Sequence, residues 1–151
     1  MHRANIPAVK EPTGLSRTDG KRPDGMTMVP WQEGRAALWD VTVRDTLADS
    51  YIASTSLLAG SAAEEAARQK EVKYSQLTGT YLFYAVAIET LGPMCESGRT
   101  FMSELGRRTA QVTSDQREIS FIFQRISVAV QRYNSVCIAG TFKATASEPV
   151  D

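Results

Sequence analysis

The sequence contains one histidine, two cysteines and no long hydrophobic run, and each shortage excludes a class of function. His2 stands beside the first residue, where chains are often poorly ordered. Catalysis by a Ser-His-Asp or Cys-His arrangement, an HNH-type nuclease site and a histidine zinc site are therefore disfavoured, because each needs a positioned imidazole. The longest apolar stretch, at 82–88, is far shorter than the roughly 20 residues that span a bilayer.

Cys95 and Cys137 show no CxxC spacing. We expect two free thiols, with a disulfide as the alternative. The amino-terminal residues lack the apolar stretch of a signal peptide, so the sequence predicts an intracellular protein with no membrane partner. Any catalysis must come from carboxylates, lysines or a bound metal ion.

Length and charge indicate one ordinary domain. The chain has 151 residues, and its 17 Lys and Arg balance its 17 Asp and Glu. A chain with no net charge has no global field that attracts nucleic acid, so such binding would depend on local patches. Residues 1–23 carry five cations against two acids, whereas residues 24–60 carry two against five. A basic lead-in, 1–22, thus precedes an acidic centre.

A β-hairpin is predicted at 25–43, with a turn at 32–35. Period-2 alternation in the second strand places Asp40 in mid-strand, and an unpaired carboxylate is costly to bury there. The Pro-interrupted segment 7–17 can form at most a short edge strand.

The rest of the chain reads as helices around a buried strand. Thr80–Thr90 is a nearly continuous apolar run, typical of a central strand. Helical periodicity predicts helices at 61–77, 96–112 and 116–138. Ser61 and Glu64 have the spacing of a capping box. We therefore expect a single mixed α/β domain over 7–141, with a disordered tail at 142–151.

Two of these helices present basic residues. On a helical wheel, Lys70 and Lys73 fall within the buried stripe of 61–77. That stripe consists mainly of small and aromatic side chains: Ala62, Ala63, Ala66, Ala67, Tyr74 and Leu77. Arg125 and Arg132 lie seven residues apart on the outward side of 116–138. The predicted buried stripe of that helix contains Ile119, Ile122, Phe123, Ile126, Ala129, Val130, Tyr133 and Cys137.

Asp24 and Asp40 are the candidate metal ligands. Because they are roughly equidistant from the hairpin turn, the turn brings them side by side across the two strands. Two opposed carboxylates repel each other unless a cation lies between them, and oxygen ligands of this kind suit Mg²⁺ or Mn²⁺. An inward lysine nearby would orient a water molecule or stabilise charge on a phosphate.

A purely structural role is the alternative interpretation. In it, Asp24 caps a turn, Asp40 forms a half-buried ion pair with Lys70 or Lys73, and no reaction occurs.

Three motifs, in order along the chain, resemble those of a nuclease family. They are Lys21-Arg22-Pro23-Asp24, then Trp39-Asp40-Val41-Thr42, then Lys70-Glu-Val-Lys73-Tyr74. This pattern is similar to the restriction-like endonuclease of non-LTR retrotransposons, a branch of the PD-(D/E)xK superfamily. Thr42 occupies the position of the usual lysine, which this branch supplies from a K-x-x-K-Y helix. Further segments resemble the region downstream of reverse transcriptase in retroelement reading frames: Gly14–Arg17, Asp19–Gly25, Glu89–Pro93 and Gln124–Ser127.

The resemblance implies a restriction-endonuclease-like core and a magnesium-dependent enzyme that nicks DNA, with a reverse transcriptase module in the same reading frame and a nuclear location. It assigns the metal to Asp24 and Asp40 and the role of the catalytic lysine to Lys73, with Lys70 as second choice. Lys21 and Arg22 would contact phosphate.

Arg125 and Arg132 form a candidate DNA-facing stripe, with a solvated helix face as the alternative. The superfamily's first helix, however, cannot form in the Pro-interrupted start of this chain. A catalytically inactive remnant, structural or weakly binding nucleic acid, is therefore the alternative function.

Overall fold

The computed structural model describes residues 1–15 and 22–145. It contains four strands: β1 (Ala8–Lys10), β2 (Gly25–Thr27), β3 (Ala37–Arg44) and β4 (Leu82–Glu89). It contains four α-helices: α1 (Ile52–Thr55), α2 (Ser61–Lys73), α3 (Glu96–Thr113) and α4 (Glu118–Thr145). Two short 3₁₀ turns complete it, at His2–Ala4 and Ser75–Leu77.

The strands form one mixed sheet in the order β1-β2-β3-β4. The first two pairings are antiparallel, whereas β3 and β4 run parallel along all eight residues of each strand. The predicted mixed α/β class, the hairpin and the short edge strand are confirmed. The apolar run at Thr80–Thr90 does form a strand, β4, but β4 is the last strand in the order of the described sheet, so its predicted central position is wrong. The segment between β3 and β4 contains α1 and α2, as parallel neighbours require a long connection.

Side chains alternate between the two faces of the sheet, and each face has its own helical layer. Small residues of α2, Ala63, Ala66 and Ala67, pack on Ala85 and Ala87 of β4. Small side chains on both surfaces let helix and sheet approach closely. The predicted Ala-rich buried stripe of α2 is confirmed.

The other face carries the larger side chains. Val86 and Ile88 of β4 pack there against Phe101 of α3 and Val130 of α4. The Trp39 ring is stacked on Phe101 with 5.5 Å between ring centroids. Asp40, one residue further along β3, therefore belongs to the α2 side of the sheet.

The predicted capping box at the start of α2 is wrong. Gly60 is the N-cap residue and no side chain of the box caps the helix. Glu89 at the end of β4 instead accepts hydrogen bonds from the backbone N–H groups of Ala62 and Ala63, at 3.0 and 3.3 Å. Glu64 accepts from the backbone N–H of Glu96, the first residue of α3. The long-range carboxylate of Glu89 thus takes the place of the local cap on α2.

Helix α4 departs most from the predicted pattern. It continues to Thr145, beyond the predicted end at 138. Val130 is buried as expected, but Ile119, Ala129, Tyr133 and Cys137 are exposed, so these four were wrongly placed in the buried stripe. The described side chains from 135 to 141 are all exposed. The helix is longer than the layer it packs on, and periodicity alone does not reveal where that layer ends.

Both cysteines are free thiols, Cys95 buried and Cys137 exposed. No helix in the described ranges is both long and apolar enough to cross a membrane. Within the predicted tail, residues 142–145 belong to α4, whereas 146–151 lie outside the described residues.

Candidate metal and phosphate site

The register of the hairpin brings the two acidic residues face to face. Gly25 pairs with Trp39, so Asp24 and Asp40 occupy opposite positions one step further along the ladder. The predicted opposition of the two acids is therefore confirmed. The Asp24 Oδ2 atom accepts a hydrogen bond from the backbone N–H of Val41 at 2.6 Å. This bond fixes the Asp24 carboxylate beside the backbone that carries Asp40.

A steric fit sets this register. A Cβ atom at Gly25 would lie 2.2 Å from Cζ2 of the Trp39 indole, so only glycine lets the ring cross the strand here. Gly25 directly follows Asp24, and Trp39 directly precedes Asp40. The ring is held from its other side by Phe101. The contact between glycine and tryptophan thus positions the two acids.

The two carboxyl groups differ in their surroundings. Asp40 is only 3% exposed, whereas Asp24 is an exposed residue immediately before β2. Partial burial of its carboxyl group nevertheless raises the pKa of Asp24, opposed by the hydrogen bond from Val41. The nearby Asp40 carboxylate raises the pKa further, and Lys70 lowers it in part. The groups are close enough for a hydrogen bond between them.

Lys70 supplies the positive charge. Its Nζ atom lies 2.5 Å from Oδ2 of Asp40, and its side chain is 22% exposed. Lys70 reaches the sheet because α2 turns this side toward β3 and β4. The half-buried ion pair expected under the structural interpretation is therefore present. It also puts an ammonium group directly beside the acid pair, as the catalytic interpretation requires.

Lys73 occupies a different position. Its Nζ atom lies 4.5 Å from the centroid of the Tyr74 ring, and that tyrosine is completely buried. The resemblance ranked Lys73 above Lys70. In the structure the ammonium group of Lys70 contacts Asp40, so the geometry favours Lys70 as the lysine nearest the acid pair.

The predicted nucleic-acid contacts do not all converge on the acid pair. Arg22 lies two residues from Asp24 and forms an ion pair with Glu11 at 2.5 Å. Lys21 lies outside the described residues. Arg125 and Arg132 belong to α4, on the face of the sheet opposite that of Asp40. A strand seated at the acid pair would therefore not reach them directly.

A divalent cation fits this donor set. Mg²⁺ is commonly held by one or two carboxylates, with water and substrate phosphate completing its coordination. Asp24 and Asp40 supply two such groups within hydrogen-bonding range of each other. In the described ranges, no group of three His, Cys, Asp or Glu residues could hold a metal ion. A cation held by these two carboxylates would therefore take its remaining ligands from water or substrate.

Two residues of this region were missed as site residues, although the sequence contains a signal for each. Gly25 could have been found by the same counting from the turn, which places it opposite Trp39. Glu89 is an acidic residue directly after the apolar run 82–88, and in the structure it is completely buried. It holds the start of the helix that carries Lys70.

A comparison of the chain with protein-family models gives no match, and a comparison with curated proteins gives none either.

Proposed function

We propose that this domain hydrolyses phosphodiester bonds of DNA with a divalent cation, Mg²⁺ or Mn²⁺, held by Asp24 and Asp40. One observation carries the proposal: two carboxylates opposed across β2 and β3 lie beside a lysine ammonium that is 2.5 Å from Asp40. Such a set needs no histidine, in keeping with a chain whose one imidazole lies at residue 2.

Each member of the set has a defined task. The two carboxylates hold and orient the cation, which when bound neutralises phosphate charge and lowers the pKa of water. Lys70 adds positive charge beside Asp40, where it would stabilise the charge that develops on the phosphate or orient the attacking water. Arg22, two residues from Asp24, is a candidate phosphate contact.

The fold agrees with this function at the coarse level of a mixed sheet with helices on both faces. The finer assignment, a restriction-endonuclease-like core from a retroelement reading frame, belongs to the proposal. It is supported by the order of the three motifs and by the helix that supplies the lysine. It carries with it a reverse transcriptase module in the same reading frame and action in the nucleus.

Conversion of supercoiled plasmid to open circles tests the proposal. The full chain should nick plasmid in Mg²⁺ or Mn²⁺ and not in EDTA, and Asp24→Asn or Asp40→Asn should abolish nicking in folded protein. Lys70→Met should also abolish it, whereas Lys73→Met, a matched change one helical turn away, should retain it. Absence of nicking by folded wild-type protein in both metals would overturn the proposal.

One observation favours a second function, the inactive remnant. The Asp40–Lys70 ion pair compensates the buried carboxylate without any metal. A remnant would bind DNA weakly, lose that binding with rising salt and cut nothing. The plasmid assay and a salt titration of DNA binding separate the two functions.

A further inference from the structure

The outer side of α4 carries a groove that the proposed nuclease function does not use. Its main part is a hollow of about 580 Å³ whose wall includes Arg3, Phe121, Arg125, Val128, Ala129 and Arg132. A second hollow of about 350 Å³ shares Ala129 and Arg132 and adds Tyr133 and Val136. Together they form one elongated depression along the helix, which we call the α4 groove.

The floor of the α4 groove is apolar and uncovered in the described part of the chain. Val128, Tyr133 and Val136 are 58%, 74% and 67% exposed. Val128 and Val136 lie on the side of the helix away from the core residue Val130, and Tyr133 lies at the border of that side, about 60° from Val130 on a helical wheel. Beyond Asn134, which donates a hydrogen bond to the Thr90 carbonyl, the helix continues past the domain.

Two arginines lie within this apolar stripe. Arg125 and Arg132 are exposed, and neither forms a hydrogen bond or an ion pair with another described residue. They are seven residues apart, which corresponds to about 10 Å along an α-helix. After Glu118, α4 contains no acidic residue. The groove therefore combines an apolar floor with the positive charges of two arginines.

This charge pattern favours one kind of binding partner over the others. A second copy of the chain pairing through the same groove would bring arginine against arginine, with no acid on either helix to compensate. A sugar-phosphate backbone would satisfy the arginines but leave the apolar side chains uncovered. An amphipathic helix with acids beside its apolar stripe satisfies both, because helices commonly dock in this way.

We propose that the α4 groove binds an acidic amphipathic helix of a partner protein, with carboxylates seven residues apart facing Arg125 and Arg132. The groove lies on the opposite face of the sheet from Asp40. Partner binding is therefore separable from phosphodiester hydrolysis, and the proposal stands whether or not the acid pair is catalytic.

Binding of a designed peptide to the full chain tests this proposal. The probe is a labelled helix of about 20 residues with a leucine stripe and glutamates at seven-residue spacing. Its controls are a scrambled peptide and the same helix with lysine in place of glutamate. Fluorescence anisotropy should show saturable binding of the glutamate helix only.

A charge exchange gives the decisive result. The double variant Arg125→Glu with Arg132→Glu should weaken binding of the glutamate helix by about tenfold or more and should bind the lysine helix instead. Val136→Asp should also weaken binding. Arg107→Glu, an exposed change on α3 outside the groove, should leave it unchanged.

Four results would overturn the proposal: no binding of the glutamate helix, equal binding of the scrambled peptide, complete displacement of the peptide by a duplex oligonucleotide, or sedimentation showing that the groove variants abolish a dimer. Circular dichroism of every variant excludes loss of folding as the cause of weak binding. Plasmid nicking by Val136→Asp should match that of the wild type, which keeps this outcome distinct from the nuclease test.

Discussion

Gly25 and Trp39 fit against each other so closely that a Cβ atom on Gly25 would lie 2.2 Å from the indole ring. Each residue is the chain neighbour of one acid of the candidate site. The packing of one ring over one glycine therefore fixes the hairpin register and the opposition of Asp24 and Asp40.

Gly25→Ala should lower the free energy of unfolding by about 1–3 kcal/mol, because the indole ring must move within a packed layer. Gly79→Ala is the matched control, since a Cβ there meets no atom within 4 Å. The control should change stability by less than about 0.5 kcal/mol. Urea denaturation measures both. Equal stability of the two variants would mean that the Trp39 ring does not require glycine.

Stability should depend on pH through Asp24. Burial raises the pKa of this carboxyl above its ordinary value of 3.8, so the folded chain holds the Asp24 proton more tightly than the unfolded chain. Its stabilising contribution is complete below pH 3.8 and is lost as the pH rises through the folded pKa. Asp24→Asn lacks this dependence.

The free energy of unfolding of wild type relative to Asp24→Asn should therefore fall as the pH rises above 3.8. Denaturation in metal-free buffer at a series of pH values measures this difference. A difference that stays constant or increases with pH would contradict the raised pKa.

Breaking the Asp40–Lys70 pair should be costly. Lys70→Met leaves the carboxylate of Asp40, whose side chain is 5% exposed, without its cation. The expected loss is about 2–3 kcal/mol, below the largest values for buried pairs because Lys70 is partly exposed. The double variant with Asp40→Asn should recover part of the loss. A double-mutant cycle by denaturation measures the coupling, and additive losses would show that the pair contributes nothing.

Glu89 should act as a remote cap for α2. Glu89→Ala removes the acceptor for two helix N–H groups in a buried site and should cost about 2 kcal/mol or more. Glu89→Gln keeps one acceptor oxygen and should cost less. Glu71→Ala, an exposed change on the same helix, is the control. Thermal denaturation compares them, and equal melting temperatures for Glu89→Ala and Glu71→Ala would exclude the capping role.

Short-range sequence patterns predicted those features of the fold that depend only on residues close together in the sequence. Counting residues from the turn placed Asp24 opposite Asp40, because a hairpin turn fixes strand register. The spacing of alanines and lysines predicted which side of α2 is buried, because the helical period is regular. These two regularities of the sequence are enough to place Asp24, Asp40 and Lys70 near one another.

The remaining features depend on neighbours that are distant in sequence. The capping box at Ser61 was displaced by Glu89, which lies 28 residues away and reaches α2 only after the sheet forms. The choice between Lys70 and Lys73 depends on the exact placement of α2 over β3. The exposed end of α4 follows from the length of the layer beneath it, which periodicity does not encode.

The rate of plasmid nicking by wild type and by Asp40→Asn, at equal protein and Mg²⁺ concentrations, shows directly whether the acid pair supports phosphodiester hydrolysis. We expect metal-dependent nicking by wild type and none by the variant, with both proteins folded. Equal rates for the two proteins, or no nicking by wild type in either Mg²⁺ or Mn²⁺, would contradict it.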